Sequence, residues 1–134
     1  MSSSKYFALV FSRMSREGGP DIEEPVGVFS TLDLISKAKN LYKAYQNDDY
    51  DRQTTDADFD IVENVIGVYC IQASYDYHGE CQNEILEYVS SKEEAISRIK
   101  HHQKIHEDSE VGYTECFLDQ VNCGGEWMKL KRDL

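Results

Sequence analysis

The chain has 134 residues, of which 40% are hydrophobic, and its 25 acidic and 14 basic residues give a formal net charge of −11. The hydrophobic fraction suffices for a folded core and excludes a disordered tail, and no apolar run approaches the roughly 20 residues that cross a bilayer. The negative charge disfavours direct binding to nucleic acid or anionic membrane, because phosphate groups would be repelled. Four cysteines without close paired spacing predict reduced thiols in a cytoplasmic protein.

The first elements are a strand, an acidic loop and a helix. The apolar stretch "KYFALVFS" begins at Lys5 and is typical of a strand behind a short polar leader, not of a signal peptide. The segment "SRMSREGGPDIEEP" then predicts a flexible loop that carries Glu23 and Glu24. A helix with Ser30 or Thr31 as its N-cap follows. Its apolar stripe at helical spacing comprises Leu34, Ile35, Ala38, Leu41, Tyr42 and Tyr45.

An acidic insert, "QNDDYDRQTTDADFD" at residues 46–60, follows this helix. A calcium loop would need glycine and glutamate where Ile61 and Gly67 stand, so we reject that interpretation. A long loop of this kind is either a solvated insertion or a contact surface, and we favour contact because the second half of the chain has no counterpart. The aspartates concerned are Asp48, Asp49, Asp51, Asp56, Asp58 and Asp60.

The second half is predicted to open with the strand "VYCIQASY" and the loop "SYDYHGEC", which presents Tyr75 and Tyr77. Tyrosines beside acids are typical of interfaces and equally of half-buried strand ends, and both interpretations stay open. A second helix begins after Ser90 or Ser91, which are N-cap residues. The strand "YTECFLDQV" and a tail with a turn at Gly124 follow.

The two halves resemble each other. With an offset of 61 residues, six of the 19 pairs between 28–46 and 89–107 are identical, whereas unrelated segments would give about one. We therefore predict an α+β fold in a single domain (1–134), built from two ββαβ repeats (5–66 and 67–121) and a C-terminal tail (122–134). The repeats are expected to share one largely antiparallel sheet, with both helices on one face.

The strand and helix start in "EYVSSKEEAISRI", together with the late Trp127, resemble a small bacterial and phage domain of unknown function. That family shows a "GVYSS" strand end followed by a glutamate-alanine helix start. The resemblance covers residues 67–128 and, more faintly, 5–66, so it implies a tandem duplicate. It carries no catalytic residues over, and the insert after the first helix departs from the family pattern.

His102 and His106 lie four residues apart in the second helix, which is metal-ligand spacing. The 61-residue offset matches them to Leu41 and Tyr45, so we expect them in the partly buried stripe that continues Ala95, Ile96 and Ile99. We favour a hydrogen-bonded histidine pair at the edge of the core. The alternative is a zinc site completed by two of His78, Cys81, Cys116 and Cys123, and no metal or other cofactor is predicted.

The charge pattern suggests two functions. The first is an acidic, non-catalytic protein-binding module, an inhibitor of the phage counter-defence or immunity type, which docks on a basic, nucleic-acid-handling surface of a partner. Its contacts would be the six aspartates named above with Glu23, Glu24, Tyr75 and Tyr77. The alternative is a protein that binds a phosphate-bearing ligand or nucleotide through its basic helix faces, with Lys39, Lys43, Lys100 and Lys104.

Enzymatic motifs are weak in this sequence. It has neither a phosphate-cradling glycine motif nor a nucleophile elbow. Cys116 with His102 is the one nucleophile and base pair that we considered, and a strand cysteine is more often a small core residue. We predict that the chain is not an enzyme. A sheet face left uncovered by helices would allow a homodimer.

Overall fold

Two successions of strand, strand, helix and strand follow one another along the chain. The computed structural model describes residues 5–14, 18, 21–49 and 55–130, with the side chains of 47–49 outside that description. The first succession is β1 (Tyr6–Arg13), β2 (Ile22–Phe29), α1 (Leu32–Asp49), a 3-10 turn (Asp56–Asp58) and β3 (Phe59–Val65). The second is β4 (Tyr69–Tyr77), β5 (Glu80–Val89), α2 (Lys92–Ile105) and β6 (Glu110–Glu115), and β7 (Gln120–Cys123) with β8 (Glu126–Lys129) ends the chain.

The strands form three small antiparallel sheets. The first has the order β2-β1-β3, the second β5-β4-β6, and β7 pairs with β8. The α+β class is confirmed, but three sheets take the place of the one shared sheet that the sequence suggested. The two larger sheets have the same strand order, while the origin of the chain by duplication stays a prediction.

Each helix packs against its own sheet. Since alternate strand residues point to opposite faces, one face of each sheet is turned toward its helix. Leu9 and Phe11 of β1 share a core cluster with Tyr42 of α1. Ile71 of β4 packs in a second cluster with Ala95 of α2. The two helices therefore cover different sheets, in place of the common face that we expected.

The sheet faces that point away from the helices meet each other. Ala8 and Val28 of the first sheet form a third core cluster with Cys70 and Cys116 of the second half. Gly27 of β2 lies so close to the start of β7 that an added Cβ would be 2.5 Å from the Gln120 carbonyl oxygen. The halves thus share one buried interface and form a single packed unit.

The helix starts are fixed in two different ways. In α2 the Ser91 side chain accepts a hydrogen bond from the Glu94 N–H at 3.1 Å, as the sequence predicted for an N-cap. Before α1 the Asp119 carboxylate, distant in sequence, accepts hydrogen bonds from the Ser30 N–H at 2.7 Å and from the Ser30 hydroxyl. The C-terminal turn therefore holds the first helix in place.

The elements of the two halves match at an offset of 60 residues, not 61. Phe29 and Val89 end the second strands, and Leu32 and Lys92 begin the helices. At this offset the buried Ala95 takes the place of the buried Ile35, whereas Ile96 is 43% exposed. The expectation that Ile96 belongs to the buried stripe was wrong. The identical residues of the two helices match at an offset of 61, whereas their structurally equivalent positions match at an offset of 60.

Two segments predicted as loops form strands. Glu23 and Glu24 lie inside β2. Pro25 of the same strand stands opposite Val10, next to a shift in the register between β1 and β2. Proline is tolerated there because β2 is an outer strand of its sheet. Tyr75 and Tyr77 lie in β4, which continues into β5 through a turn at His78 and Gly79. In the C-terminal tail, β7 and β8 form a hairpin around Gly124 and Gly125, whose φ angles are positive.

Candidate acidic binding groove

A groove of about 380 Å³ lies between β3 and β5. Val10, Val62, Ile66 and Ile85 supply apolar surface to its lining. Val62 is 41% and Ile66 is 49% exposed, although both are large apolar residues. Adjacent exposed apolar side chains within a groove indicate a surface that a partner covers, whereas single ones scattered over a protein carry no such meaning.

Acids surround this apolar surface. Glu23, Glu63 and Glu87 line the groove, and no lining residue in the described part of the chain is basic. Asp60 and Glu84 lie close enough to Glu23 to act on its carboxylate. We call this region, from the Val10, Val62, Ile66 and Ile85 surface to its five acids, the acidic groove.

Glu23 is the most constrained of these acids. Its Oε1 accepts a hydrogen bond from the Ile85 N–H at 3.2 Å, and its backbone carbonyl accepts one from the Asn83 amide at 2.7 Å. Burial raises the pKa of Glu23 above its ordinary value, and the charges of Glu84 and Asp60 raise it further, while the Ile85 N–H acts in the opposite direction. Burial is thus the main reason that the charged form of Glu23 is disfavoured, and the neighbouring acids add to this effect.

Glu87, on the β5 side, is held by two basic groups from α2. Arg98 Nε lies 2.7 Å from Glu87 Oε2, and His102 Nε2 contacts the same oxygen. Burial acts to raise the pKa of Glu87, but the contacts with His102 and Arg98 together outweigh burial and lower this pKa. Glu87 thus stays ionised at neutral pH and has a fixed position.

β3 forms an open edge beside the groove. Within the described residues it pairs on one side only, with β1, where Ala8 stands opposite Val62 and Leu9 opposite Ile61. The strand ends near Asn64, whose φ of 60° is unusual for a residue other than glycine. An outer strand offers backbone N–H and C=O groups that an extended segment of another chain can pair with.

The structure describes the side chains of three of the six predicted aspartates, and these three lie in different surroundings. The backbone of Asp48 and Asp49 ends α1, and Asp51 lies outside the described residues. Asp56 forms an ion pair with Lys43, which lowers the pKa of this carboxyl group. The remaining members also separate: Asp58 accepts a hydrogen bond from the Thr55 N–H at 2.9 Å, whereas Asp60 lies beside the acidic groove.

The other predicted contact residues lie apart from the groove. Glu24 accepts a hydrogen bond from the Tyr42 hydroxyl at 3.0 Å and faces Arg13. Tyr75 and Tyr77 are half-buried in β4, near its turn into β5, and the Tyr77 ring packs edge-on against His78. Of the predicted residues, the structure brings Glu23 and Asp60 together.

The basic residues of the alternative function belong to separate helices. Lys39 and Lys43 lie on α1, and Lys43 is paired with Asp56. Lys100 and Lys104 are exposed on α2. Because the two helices cover different sheets, these four residues do not extend one packed helical layer.

His102 and His106 are half-buried near the end of α2, with ring centroids 6.2 Å apart. Glu87 is the charged neighbour of His102. Among the residues that the structure describes, no group of three or more histidine, cysteine or acidic side chains is arranged to hold a metal ion. Cys116 lies in the core between the sheets, where burial raises the pKa of its thiol to about 12, so it stays protonated at neutral pH.

Comparison of the chain with protein-family models, with curated proteins and with solved structures finds no match. The resemblance to the small bacterial and phage domain therefore stays a prediction. Neither described helix has the length and apolar character needed to cross a membrane.

Sequence reasoning missed Val62, Glu63, Ile66 and Glu87. The run "DIVENVI" contains its own signal, because two adjacent apolar residues followed by an acid do not give the alternation of a half-buried strand. Adjacent strand residues point to opposite faces, so one apolar residue of such a pair is expected on the face away from the core, and the structure leaves Ile61 and Val62 about two-fifths exposed. Glu87 carried no such signal, since its position depends on how the two sheets pack.

Proposed function

We propose that the chain is a non-catalytic binding module that takes an extended basic segment of a partner protein into the acidic groove. The observation that carries the proposal is the combination of exposed Val62 and Ile66 with Glu23, Glu63 and Asp60 beside the open edge of β3. Glu87 also lines the groove, but Arg98 already compensates its charge. Apolar contact and strand pairing would supply affinity, and the acids would select a basic partner.

The charges of the acidic groove indicate which kind of segment would bind there. Bringing another acid into a groove that already raises the pKa of Glu23 would cost free energy. Lysine or arginine side chains would relieve this repulsion, and apolar residues alternating with them would contact Val62 and Ile66, since alternate residues of a strand point to opposite sides. A net charge of −11 would accelerate the approach of such a partner.

A basic segment of this kind is common on nucleic-acid-handling proteins. Occupying it would block nucleic-acid binding, and the module would then act as an inhibitor of the counter-defence or immunity type. We place this activity in the cytoplasm of a bacterial cell, as an extension of the family resemblance alone.

The test uses a fluorescent peptide of alternating lysine and valine, with fluorescence anisotropy as the measurement. Binding is expected to weaken as salt rises, because exposed charges are then screened. A double charge reversal, Asp60→Lys with Glu63→Lys, should weaken binding by about tenfold or more. The matched control is Glu107→Lys with Asp108→Lys, on the turn after α2, which changes the net charge equally and should alter affinity less than about twofold.

A peptide that is N-methylated at alternate residues tests whether binding depends on backbone pairing with β3 or only on electrostatic attraction. It keeps its charges but loses the N–H groups that would pair with β3, so it should bind more weakly than the parent peptide. Equal binding of the two peptides, or an equal effect of both charge reversals, would contradict the proposal.

A further inference from the structure

A second opening, distinct from the acidic groove, lies between α1, the second sheet and the β7–β8 turn. Its volume is about 410 Å³, within the range of small-molecule sites. Its lining is rich in amide and hydroxyl groups: Glu24, Tyr42, Tyr45, Gln46, Gln72, Ser74, Asn83, Thr114 and Asn122, with Cys81 and the two turn glycines. We call this opening the polar cleft.

We propose that the polar cleft binds a neutral saccharide, whose hydroxyl groups pair with these amides and hydroxyls. Of the described lining residues Glu24 alone is charged, and its oxygens already face Arg13 and the Tyr42 hydroxyl. The absence of a cationic group from this lining disfavours an anionic ligand, and the engagement of Glu24 disfavours a cation. A neutral ligand matches the site best.

The polar groups of the cleft are held in place by each other. Gln46, which is 6% exposed, donates to the Tyr42 hydroxyl at 2.9 Å. Asn83 donates to the Gln72 amide oxygen at 2.7 Å and accepts from the Ser74 hydroxyl at 2.9 Å. These bonds, together with one from the Gln72 amide to the Thr114 hydroxyl, hold the groups at defined positions, which reduces the entropy lost on binding. They leave the second N–H of Gln72, the Thr114 hydroxyl hydrogen and the Ser74 lone pairs to pair with a ligand.

Two tyrosines line the cleft, and of these Tyr45 is half-buried with its ring centroid 5.6 Å from that of Tyr42. The burial of Tyr42 favours a saccharide over a nucleoside. Tyr42 is 3% exposed, with its ring packed against Phe11 at 5.2 Å and against Phe59 at 5.8 Å. Its ring therefore belongs to the core, and its hydroxyl takes part in the polar network of the cleft. A nucleobase needs an accessible ring face on which to stack, whereas hydroxyl groups need partners that donate and accept, and amides provide both.

Cys81 gives a direct reporter of occupancy. It is exposed and lines the cleft, whereas Cys70, Cys116 and Cys123 are buried and burial raises the pKa of each thiol. A thiol reagent such as Ellman's reagent should therefore modify Cys81 first. A bound ligand should slow that reaction, by about tenfold when its concentration is ten times its dissociation constant.

The experiment measures the rate of Cys81 modification with maltose, trehalose, N-acetylglucosamine or adenosine present, and saturation-transfer NMR of the same mixtures. Protection by one of the sugars, stronger than that by adenosine, is the expected result. In the NMR measurement Cys81→Trp should fill the cleft and abolish the sugar signal, whereas Ser97→Trp, exposed on α2 and outside the cleft lining, should retain it. Protection by adenosine that equals or exceeds that of every sugar, or no protection by any compound, would overturn the proposal.

Discussion

Glu23 accepts a hydrogen bond from the Ile85 N–H at 3.2 Å, and this contact connects β2 of the first half with β5 of the second. The same residue lines the acidic groove and has a raised pKa, with burial as the main cause. One carboxylate therefore links the packing of the two halves to the electrostatics of the proposed binding surface. Its substitution should report on both.

Glu23→Gln should remove one component of the pH dependence of stability. Because the folded-state pKa of Glu23 is raised, its contribution is fully present below the unfolded value, ordinarily 4.5, and is lost as pH rises through the folded-state pKa. The variant keeps an acceptor for the Ile85 N–H. The free energy of unfolding of the variant minus that of the parent should therefore be larger at about pH 7 than at about pH 4. Urea denaturation at both pH values measures this, and a constant difference would contradict the assigned environment.

Glu87→Gln should show the opposite pH dependence. The pKa of Glu87 is lowered in the folded state, so its contribution is present above the unfolded value and is lost as pH falls through the folded-state pKa. The variant should be less stable than the parent at about pH 7, and the difference should shrink near about pH 3. The same urea series measures it. A deficit that persists unchanged at acidic pH would argue that Glu87 contributes through packing and not through its charge.

Cys116→Ser should destabilise the interface between the two sheets. Cys116 is 2% exposed and packs in the shared cluster with Cys70 and Val28. A hydroxyl in that apolar position should cost about 1–3 kcal/mol in the free energy of unfolding. Cys81→Ser is the control, because Cys81 is exposed, and its effect should stay within about 0.5 kcal/mol. Equal effects in denaturant titrations would contradict the placement of Cys116 in the core.

Gly27→Ala should disrupt the contact between β2 and the start of β7. The new Cβ would lie 2.5 Å from the Gln120 carbonyl oxygen and 2.8 Å from Phe29 Cζ, so backbone must move. We expect a loss of about 1–3 kcal/mol or more. Gly112→Ala in β6 is the matched control: its added Cβ would meet no atom within 4 Å, and a gain of about 0.4–1 kcal/mol is expected. Thermal unfolding of both variants measures the difference. A melting temperature of Gly27→Ala equal to that of the parent would contradict the close approach of β2 and β7.

Much of the fold could be predicted from local patterns. The α+β class, the α2 cap at Ser91 and the turn at Gly124 all depend on short-range chemistry that the sequence carries directly. The packing of one half against the other could not, because it depends on which face of each strand meets a distant partner. Ile96 illustrates the limit: its identity with the first helix is real, but the buried position belongs to its neighbour Ala95.

The candidate sites were less predictable than the fold. Composition identified an acidic protein, and Glu23 and Asp60 were among the proposed contacts, whereas the described Asp56 and Asp58 are not among the residues that line the groove. Glu63 and Glu87 are ordinary strand acids in the sequence, and the packing of the first sheet against the second brings them to one surface. The polar cleft likewise draws residues from six separate elements and the β7–β8 turn, so no continuous sequence motif predicts it.

The most direct test of the acidic groove is a residue-by-residue NMR titration of the ¹⁵N-labelled protein with the alternating lysine and valine peptide. The account predicts that amide shifts concentrate in 59–66 and 84–88, and that they diminish with added salt and with the N-methylated peptide. Shifts confined to the lysine-bearing faces of α1 and α2, or no shifts at peptide concentrations that give an anisotropy signal, would contradict it.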